Sequence, residues 1–314
     1  MKISFKIIFF CLLIFSFVFC TKDALSEETE EIIENTSQLA PAKNFDLTTW
    51  NISIPENNGS GVATTISVLS LNKDYQNENY FYTAEDSGMV FKCFVDGFKT
   101  STNTSYTRTE LREMLRGYVT GIPTQGVNKN NWVFGAAPSS DKNAAAGFDG
   151  EMNTTLAVNY VTTTGNSSQI GRVIVGQIHA NDDEPIRLYY RKLPNNELGS
   201  IYFAHEPRDG FGNEQWVDMI GSRSSSATNP TDGIALNEKF SYKIKTVNNL
   251  LTVTISRSGK TDVTKTVDMS NSGYDVGGQY MYFKAGVYNQ NNTGNADDYV
   301  QATFYKLEKS HTVN

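Results

Sequence analysis

An all-β sandwich or jelly roll is the fold class this sequence predicts, on three observations. First, 16 Tyr, 18 Phe and 24 Gly stand among plentiful Thr, Ser and Asn, a mix that favours strands and turns over helices. Second, short β-type runs alternate with Gly, Asn, Ser and Asp clusters from Asn44 onward, enough for roughly ten to fifteen strands. Third, no long segment of 3.6-residue period follows residue 43. The chain has 314 residues, 39% hydrophobic and 19% charged. That is globular composition, which excludes wholesale disorder and a collagen-like fibre. With no internal boundary visible, residues 44–314 read as one domain.

The elements follow in order. Lys2 and Lys6 open a positive segment before an almost unbroken apolar run over 7–19. The run is too short to span a membrane and suits a signal peptide over 1–20. Phe17-Val18-Phe19-Cys20 stands where a small-residue cleavage site is usual. A Cys closing such a run resembles the lipidation site of a bacterial lipoprotein, although Phe17 and Phe19 depart from the strict pattern. The expectation is export, as a secreted protein or an outer-membrane or cell-surface lipoprotein tethered through lipidated Cys20. Residues 21–43 carry Glu27, Glu28, Glu30, Glu31 and Glu34 and few large apolar residues. They read as an acidic flexible tether, with a short acidic amphipathic helix over 28–33 as the alternative.

The formal charge of −7 argues against a general nucleic-acid binder but leaves room for a local basic groove. Cys11, Cys20 and Cys93 are too few for a disulfide framework, and His179, His205 and His311 leave little for zinc. No metal and no cofactor are expected. Dinucleotide, P-loop and Gly-x-Ser-x-Gly fingerprints are absent, as are tandem repeats.

Within the domain, Ile52 and Ile54 precede a turn at Pro55-Glu56-Asn57-Asn58-Gly59. Further strands are expected over 80–83, 89–95, 107–115, 154–162, 169–179, 186–193, 200–205, 239–247, 250–257 and 279–287. Asn248-Asn249-Leu250 separates two alternating runs and signals a hairpin. Lys245, Arg257 and Lys260 near it read as a charged solvent face. The stretches 117–150 and 206–232, rich in Gly, Ser and Asn, read as long loops.

Three strands carry unusual polar faces. In Thr107-Arg108-Thr109-Glu110-Leu111-Arg112-Glu113-Met114-Leu115, alternation places Arg108, Glu110, Arg112 and Met114 on one face. A carboxylate between two guanidiniums holds fixed geometry and leaves donors for an anion; a surface ion-pair ladder is the plainer reading. In Arg172-Val173-Ile174-Val175-Gly176-Gln177-Ile178-His179, Gln177 and His179 share a face, with Val173 and Val175 expected upstream on it. A lone His beside apolar residues is most often structural; Gln two residues before it makes an anion clamp and base conceivable. In Tyr282-Phe283-Lys284-Ala285-Gly286-Val287-Tyr288-Asn289-Gln290, Tyr282, Lys284, Gly286, Tyr288 and Gln290 share one face, with Gly286 leaving room between the larger groups. Arg187, Tyr189 and Arg191 alternate on a further strand and could extend a groove, or decorate the surface. His205 and His311 read as incidental.

Together, and in this order, the three segments resemble the signature segments of polysaccharide lyase family 7, the alginate lyases. Those read Arg-Ser/Thr-Glu-Leu/Val-Arg, Gln-Ile/Val-His and Tyr-Phe-Lys-Ala-Gly-x-Tyr-x-Gln. The stretch Asn44-Phe45-Asp46-Leu47-Thr48-Thr49-Trp50-Asn51-Ile52-Ser53-Ile54-Pro55 also resembles the family's first strand. The resemblance covers about residues 44–309. It implies a β-jelly roll of two curved antiparallel sheets, the concave one forming a groove for an acidic polysaccharide. It also implies β-elimination of the 4-O-glycosidic bond of alginate, leaving a 4,5-unsaturated end.

In that reading Arg108, with Arg112 as neighbour, and Gln177 neutralise the C6 carboxylate, where enolate-like charge develops. His179 takes the C5 proton, and the Tyr288 phenol protonates the leaving O4. In mannuronate, where proton and leaving group share a face, Tyr288 could serve as both. Glu110 orients the two Arg, while Lys284, Tyr282, Gln290, Arg187 and Tyr189 bind sugar. Ile between Gln177 and His179 goes, in the family, with guluronate-containing stretches. A non-catalytic binding module shares the fold but has no need of His179 and Tyr288. A glycoside hydrolase needs two carboxylates across the bond; Glu110 and Glu113 face opposite ways and cannot form that pair.

Overall fold

The computed structural model describes residues 39–313. The signal peptide, Cys20 and most of the expected tether lie outside the described residues. The last tether positions do not: Pro41–Lys43 form a 3-10 turn, and Leu39 O accepts from Thr83 Oγ1 at 2.6 Å.

Among the described residues, seventeen strands form two sheets. The first contains β1 (Trp50–Asn57), β2 (Ala63–Ile66), β5 (Arg108–Glu113), β8 (Arg172–His179), β9 (Ile186–Arg191), β10 (Leu198–His205), β11 (Gln215–Ile220) and β16 (Tyr282–Asn289), in the order β11-β10-β9-β8-β16-β5-β1-β2, with β12 (Ile234–Ala235) on β10. The second contains β3 (Phe81–Thr83), β4 (Met89–Phe94), β7 (Gly147–Tyr160), β13 (Phe240–Val247), β14 (Leu250–Ser256), β15 (Val263–Asp268) and β17 (Tyr299–Thr312), in the order β15-β14-β13-β7-β17-β4-β3. β6 (Trp132–Val133) joins β7 in parallel, and the other pairings are antiparallel. Two short helices, α1 (Val68–Leu71) and α2 (Ser139–Ala144), complete the described elements. The two-sheet jelly roll is the expected fold.

The core lies between the sheets, with Trp132 against Phe283 and Phe91 against Phe304. β13 alternates strictly between buried and outward residues, as a strand with one face in the core and one in water must. β8, β10 and β16 are buried almost continuously. Their second face is covered too, by the polar and aromatic side chains of the groove. The hairpin at Asn248-Asn249 is present, Val247 opposite Leu250.

Several expectations change. The stretches 117–150 and 206–232 are not loops throughout: they contain β6, α2, the start of β7, and β11. Arg257 is no solvent-face residue. It is buried, and it donates to Asp232 Oδ2 at 2.6 Å. Val173 and Val175 do not share the face of Gln177 and His179 but belong to the inter-sheet core. The reason is a β-bulge: Ile174 and Gly176 span two steps where Tyr189 and Leu188 on β9 span one. The extra residue reverses the alternation, so Ile174, Gln177 and His179 face the groove together. Tyr242, from the opposite sheet, donates to the Val175 carbonyl at 2.9 Å, and a Cβ on Gly176 would lie 2.6 Å from its hydroxyl. Gly286 has φ +138°, and a Cβ there would meet Thr109 O at 2.6 Å. Glycine is required there by the backbone and by close approach to β5, not by room on the polar face.

Candidate active site

Pairing registers stack the groove residues in rows. One row runs Arg112, Lys284, Gln177, Arg187 across β5, β16, β8 and β9. Another runs Arg108, Tyr288, Ile174, Tyr189 across the same strands. Gly286 opposite Glu110 lies between them, and Tyr282 stands opposite His179 beyond the first. Adjacent strands lie roughly 4.8 Å apart, so the three motifs form one continuous patch.

Glu110 is its anchor. It is 1% exposed, yet receives Arg108 Nη1 at 3.1 Å, Lys284 Nζ at 2.5 Å, and Gln177 Nε2. Burial pushes the carboxyl up; Lys284 and Arg108 outweigh it and hold it below the ordinary range. Glu110 therefore stays charged and orients its three partners. The second Arg of the motif is not among them. Arg112 donates to Thr124 O at 2.6 Å, Glu113 O at 3.2 Å and Met114 Sδ at 2.7 Å. Its guanidinium lies 3.9 Å from the Tyr282 ring centroid. It braces the loop after β5 and the aromatic wall, while the free donors belong to Arg108, whose Nε is buried without a partner.

His179 stacks on Tyr282, centroids 5.0 Å apart and planes 9° from parallel. Its Nδ1 lies 2.6 Å from the Ala180 carbonyl, so the neutral ring donates there and keeps its Nε2 lone pair. Burial, and then Lys284, pushes the imidazole down to about 3. Nε2 faces Glu184 Oε1 at 3.4 Å, positioned to pair with the ring once it is protonated. Tyr288 lies under Arg108, whose guanidinium is 3.7 Å from the ring centroid, and meets Tyr106 edge-on at 6.2 Å. Burial raises the phenol above its ordinary value against the opposing pull of Arg108. Burial, then Arg108, lowers Lys284 to about 8. At neutral pH the patch thus holds a neutral imidazole, a protonated phenol and two cations on one carboxylate.

The remaining sequence-predicted residues sit at the margins. Arg187 lies in the first row but is held by Glu214, by Glu206 at 3.2 Å and by Glu184 at 3.9 Å. Tyr189 is buried beside Tyr202 and Trp216 on the groove side. Gln290 leaves Nε2 unpartnered near Arg172, and its backbone N–H donates to Arg172 O at 3.2 Å. Among the described residues no group of three or more His, Cys, Asp or Glu side chains is arranged to hold a metal ion.

Sequence reasoning missed Glu184, Tyr106 and Trp216. Glu184 reads as part of an acidic loop, and its one signal is the i,i+3 spacing to Arg187. His311, read as incidental, packs behind the site, with Nε2 2.8 Å from Glu113 Oε1. His205 is structural, between Pro185 O and Ser272 Oγ.

The chain is 56% identical to an alginate lyase of Klebsiella pneumoniae over 280 residues, 87% of this chain and 91% of that one. The crystal structure of the alginate lyase from Klebsiella pneumoniae superposes with a TM-score of 0.86, at 56% identity, over 87% of this chain and 98% of that chain. A variant of the family 7 alginate lyase A1-II', solved in complex with product, is 26% identical with a TM-score of 0.64, covering 87% of this chain and 100% of that one. An alginate lyase structure from Pseudomonas aeruginosa is 28% identical with a TM-score of 0.62, over 85% and 100% of the two chains. The family model described as alginate lyase matches residues 45–311, from just before the first strand to one residue short of the end of β17, and the chain therefore belongs to the alginate lyases of polysaccharide lyase family 7.

Proposed function

We propose that this chain cleaves alginate by β-elimination. The observation that carries the reading is the meeting of a neutral His179 Nε2 and a protonated Tyr288 around cations aligned by Glu110. Arg108, Lys284 and the second Nε2 hydrogen of Gln177 take the C6 carboxylate of the sugar. Neutralising it lowers the cost of charge that develops as the C5 proton leaves. His179 Nε2 accepts that proton, and Glu184 pairs with the imidazolium. The electron pair forms the C4–C5 double bond as the C4–O4 bond breaks, and Tyr288 gives its proton to O4. No water is consumed.

Guluronate suits two groups acting from opposite sides, and guluronate-containing stretches are the proposed preference. Ile178 points into the core between the sheets, so its influence on preference runs through the seating of β8 rather than through contact. Export, with or without a lipid on Cys20, accords with a polymeric substrate met outside the cell.

The test is ultraviolet absorbance of residues 39–314 on polyguluronate, polymannuronate and mixed alginate. Absorbance should rise from the new conjugated double bond, fastest on guluronate-containing polymer. Tyr288→Phe should lower kcat by a factor of about a thousand or more while binding persists. Flat absorbance with new reducing ends would mean hydrolysis, and binding without cleavage would mean a binding protein.

A further inference from the structure

The groove sheet carries one more polar row, beyond the row of Tyr288. Arg172 opens β8, Arg191 closes β9, and the two stand directly opposite one another in the ladder. Like charges so placed weaken a sheet. Arg223 comes from the loop after β11, its guanidinium 4.9 Å from the Trp216 ring centroid. With Ser168, Asp218 and Ser222 the three arginines line an open pocket of about 560 Å³.

Among the described residues no carboxylate forms an ion pair with any of these three guanidiniums; the arginines so paired are Arg108, Arg187 and Arg257. Arg191 is 4% exposed and donates to the carbonyls of Ile170, Arg223 and Ser167. Those contacts fix its plane but supply no counter-charge. Arg172 gives Nη2 to Gln290 O at 3.2 Å and keeps Nε buried without a partner. Asp218, the one carboxylate lining the pocket, accepts the Arg223 backbone N–H at 3.1 Å. Three guanidiniums against one carboxylate leave an excess of two positive charges.

The other edge of the same strands has the opposite sign, with Glu184, Glu206 and Glu214 around Arg187. Between the two edges lies Trp216, half-exposed over Tyr189 and Tyr202.

We propose that the Arg172–Arg191–Arg223 pocket is a carboxylate subsite for a uronate neighbouring the one that reacts, with Trp216 as the face against which the sugar lies. This rests on the lyase reading of the groove. Arg172 is two residues along β8 from Ile174, the partner of Tyr288. That is about 7 Å, so the pocket serves sugars beside the reaction centre and not the reacting unit. The acidic edge repels the same carboxylates and turns the chain toward the arginines. A cation pair that weakens the empty sheet is compensated when the polyanion arrives.

The experiment compares wild type with Arg223→Gln, Arg223→Glu and Arg172→Gln on guluronate hexamer and trimer, at low and high salt. Arg223 is on an exposed loop, so its variants leave the fold intact; unfolding midpoints check this. The KM for hexamer should rise about tenfold for each Gln variant with kcat within about twofold, as expected for one lost charge-assisted contact. Arg223→Glu should exceed Arg223→Gln, high salt should shrink both effects, and the trimer should respond less. Unchanged hexamer KM in the Arg223 and Arg172 variants overturns the proposal. So does an equal loss on both lengths that falls on kcat. Should wild type fail to eliminate any alginate, the lyase reading falls by itself. Hexamer affinity by calorimetry then decides the pocket: equal affinity in wild type and variants overturns it, and weaker affinity in the variants upholds it.

Discussion

Glu110 and Glu113 lie three residues apart on β5, on opposite faces, and both are fully buried. Glu110 is held by Arg108, Lys284 and Gln177. Glu113 is held by Lys309 Nζ at 2.9 Å, His311 Nε2 at 2.8 Å, Trp132 Nε1 at 3.0 Å and the Phe283 N–H at 3.0 Å. The two sets differ in what they leave over. Around Glu110, Arg108 Nε and Gln177 Oε1 have no partner. Around Glu113 the contacts close on one another, and both ring nitrogens of His311 face acceptors. Two buried carboxylates of similar exposure thus organise different things. One aligns groups whose remaining valence a ligand must satisfy, and the other locks the two sheets together behind them.

The largest break in this comparison is Glu113→Gln. It leaves Lys309 without its counter-charge, and about 3–5 kcal/mol of stability should go. Activity per folded molecule should hold, checked by chemical unfolding beside active-site titration. Glu110→Gln should lose less stability but about a hundredfold in kcat/KM, because Arg108 and Lys284 are no longer aligned. Guluronate oligomer should also raise its unfolding midpoint more than that of wild type. If Glu110→Gln proves the less stable of the two and keeps its activity, the division of labour is wrong.

Acidity sharpens the contrast further. Lys309 and His311, against the opposing effect of burial, hold the Glu113 carboxyl far below its ordinary value. Its contribution is fully present above the unfolded value, near 4.3, and is lost as pH falls through the folded value. Glu113→Gln should therefore flatten the acid limb of stability against pH. On the groove side the sensitive group is Lys284, lowered by burial to about 8. Activity should fall as pH rises through that value and Lys284 loses its charge. Lys284→Arg, if it retains turnover, should move this limb upward. The smallest effect is expected from Tyr242→Phe. It removes one hydrogen bond to the bulged strand, so about 1 kcal/mol of stability should go.

The fold class was legible in the sequence, and so in part was which candidate residues share a strand face. Strand alternation is a local signal, so the shared face of Arg108 and Glu110, and that of Tyr282, Lys284 and Tyr288, could be read directly. The bulge at Val175-Gly176 could not, because it depends on Tyr242 from the other sheet. The same limit explains Arg112. Whether a guanidinium faces a carboxylate or the carbonyl of Thr124 is decided by the path of a loop. β17 escaped notice because its second half alternates half-exposed and exposed residues. Its inward members, Lys309 and His311, look like surface charge until Glu113 is seen behind them.

That last strand has a consequence for how the protein is made. β17 sits between β7 and β4, and its His311 reaches Glu113, 198 residues earlier. Before residues 299–312 leave the ribosome, the second sheet lacks an inner strand and β5 lacks its backing. Closing so long a loop is slow, and ordered contacts cannot reward it until late. Until those residues are made, β7 and β4 lack the strand that joins them, and Glu113 lacks Lys309 and His311. The backing of β5 behind the reaction centre is thereby tied to the synthesis of β17.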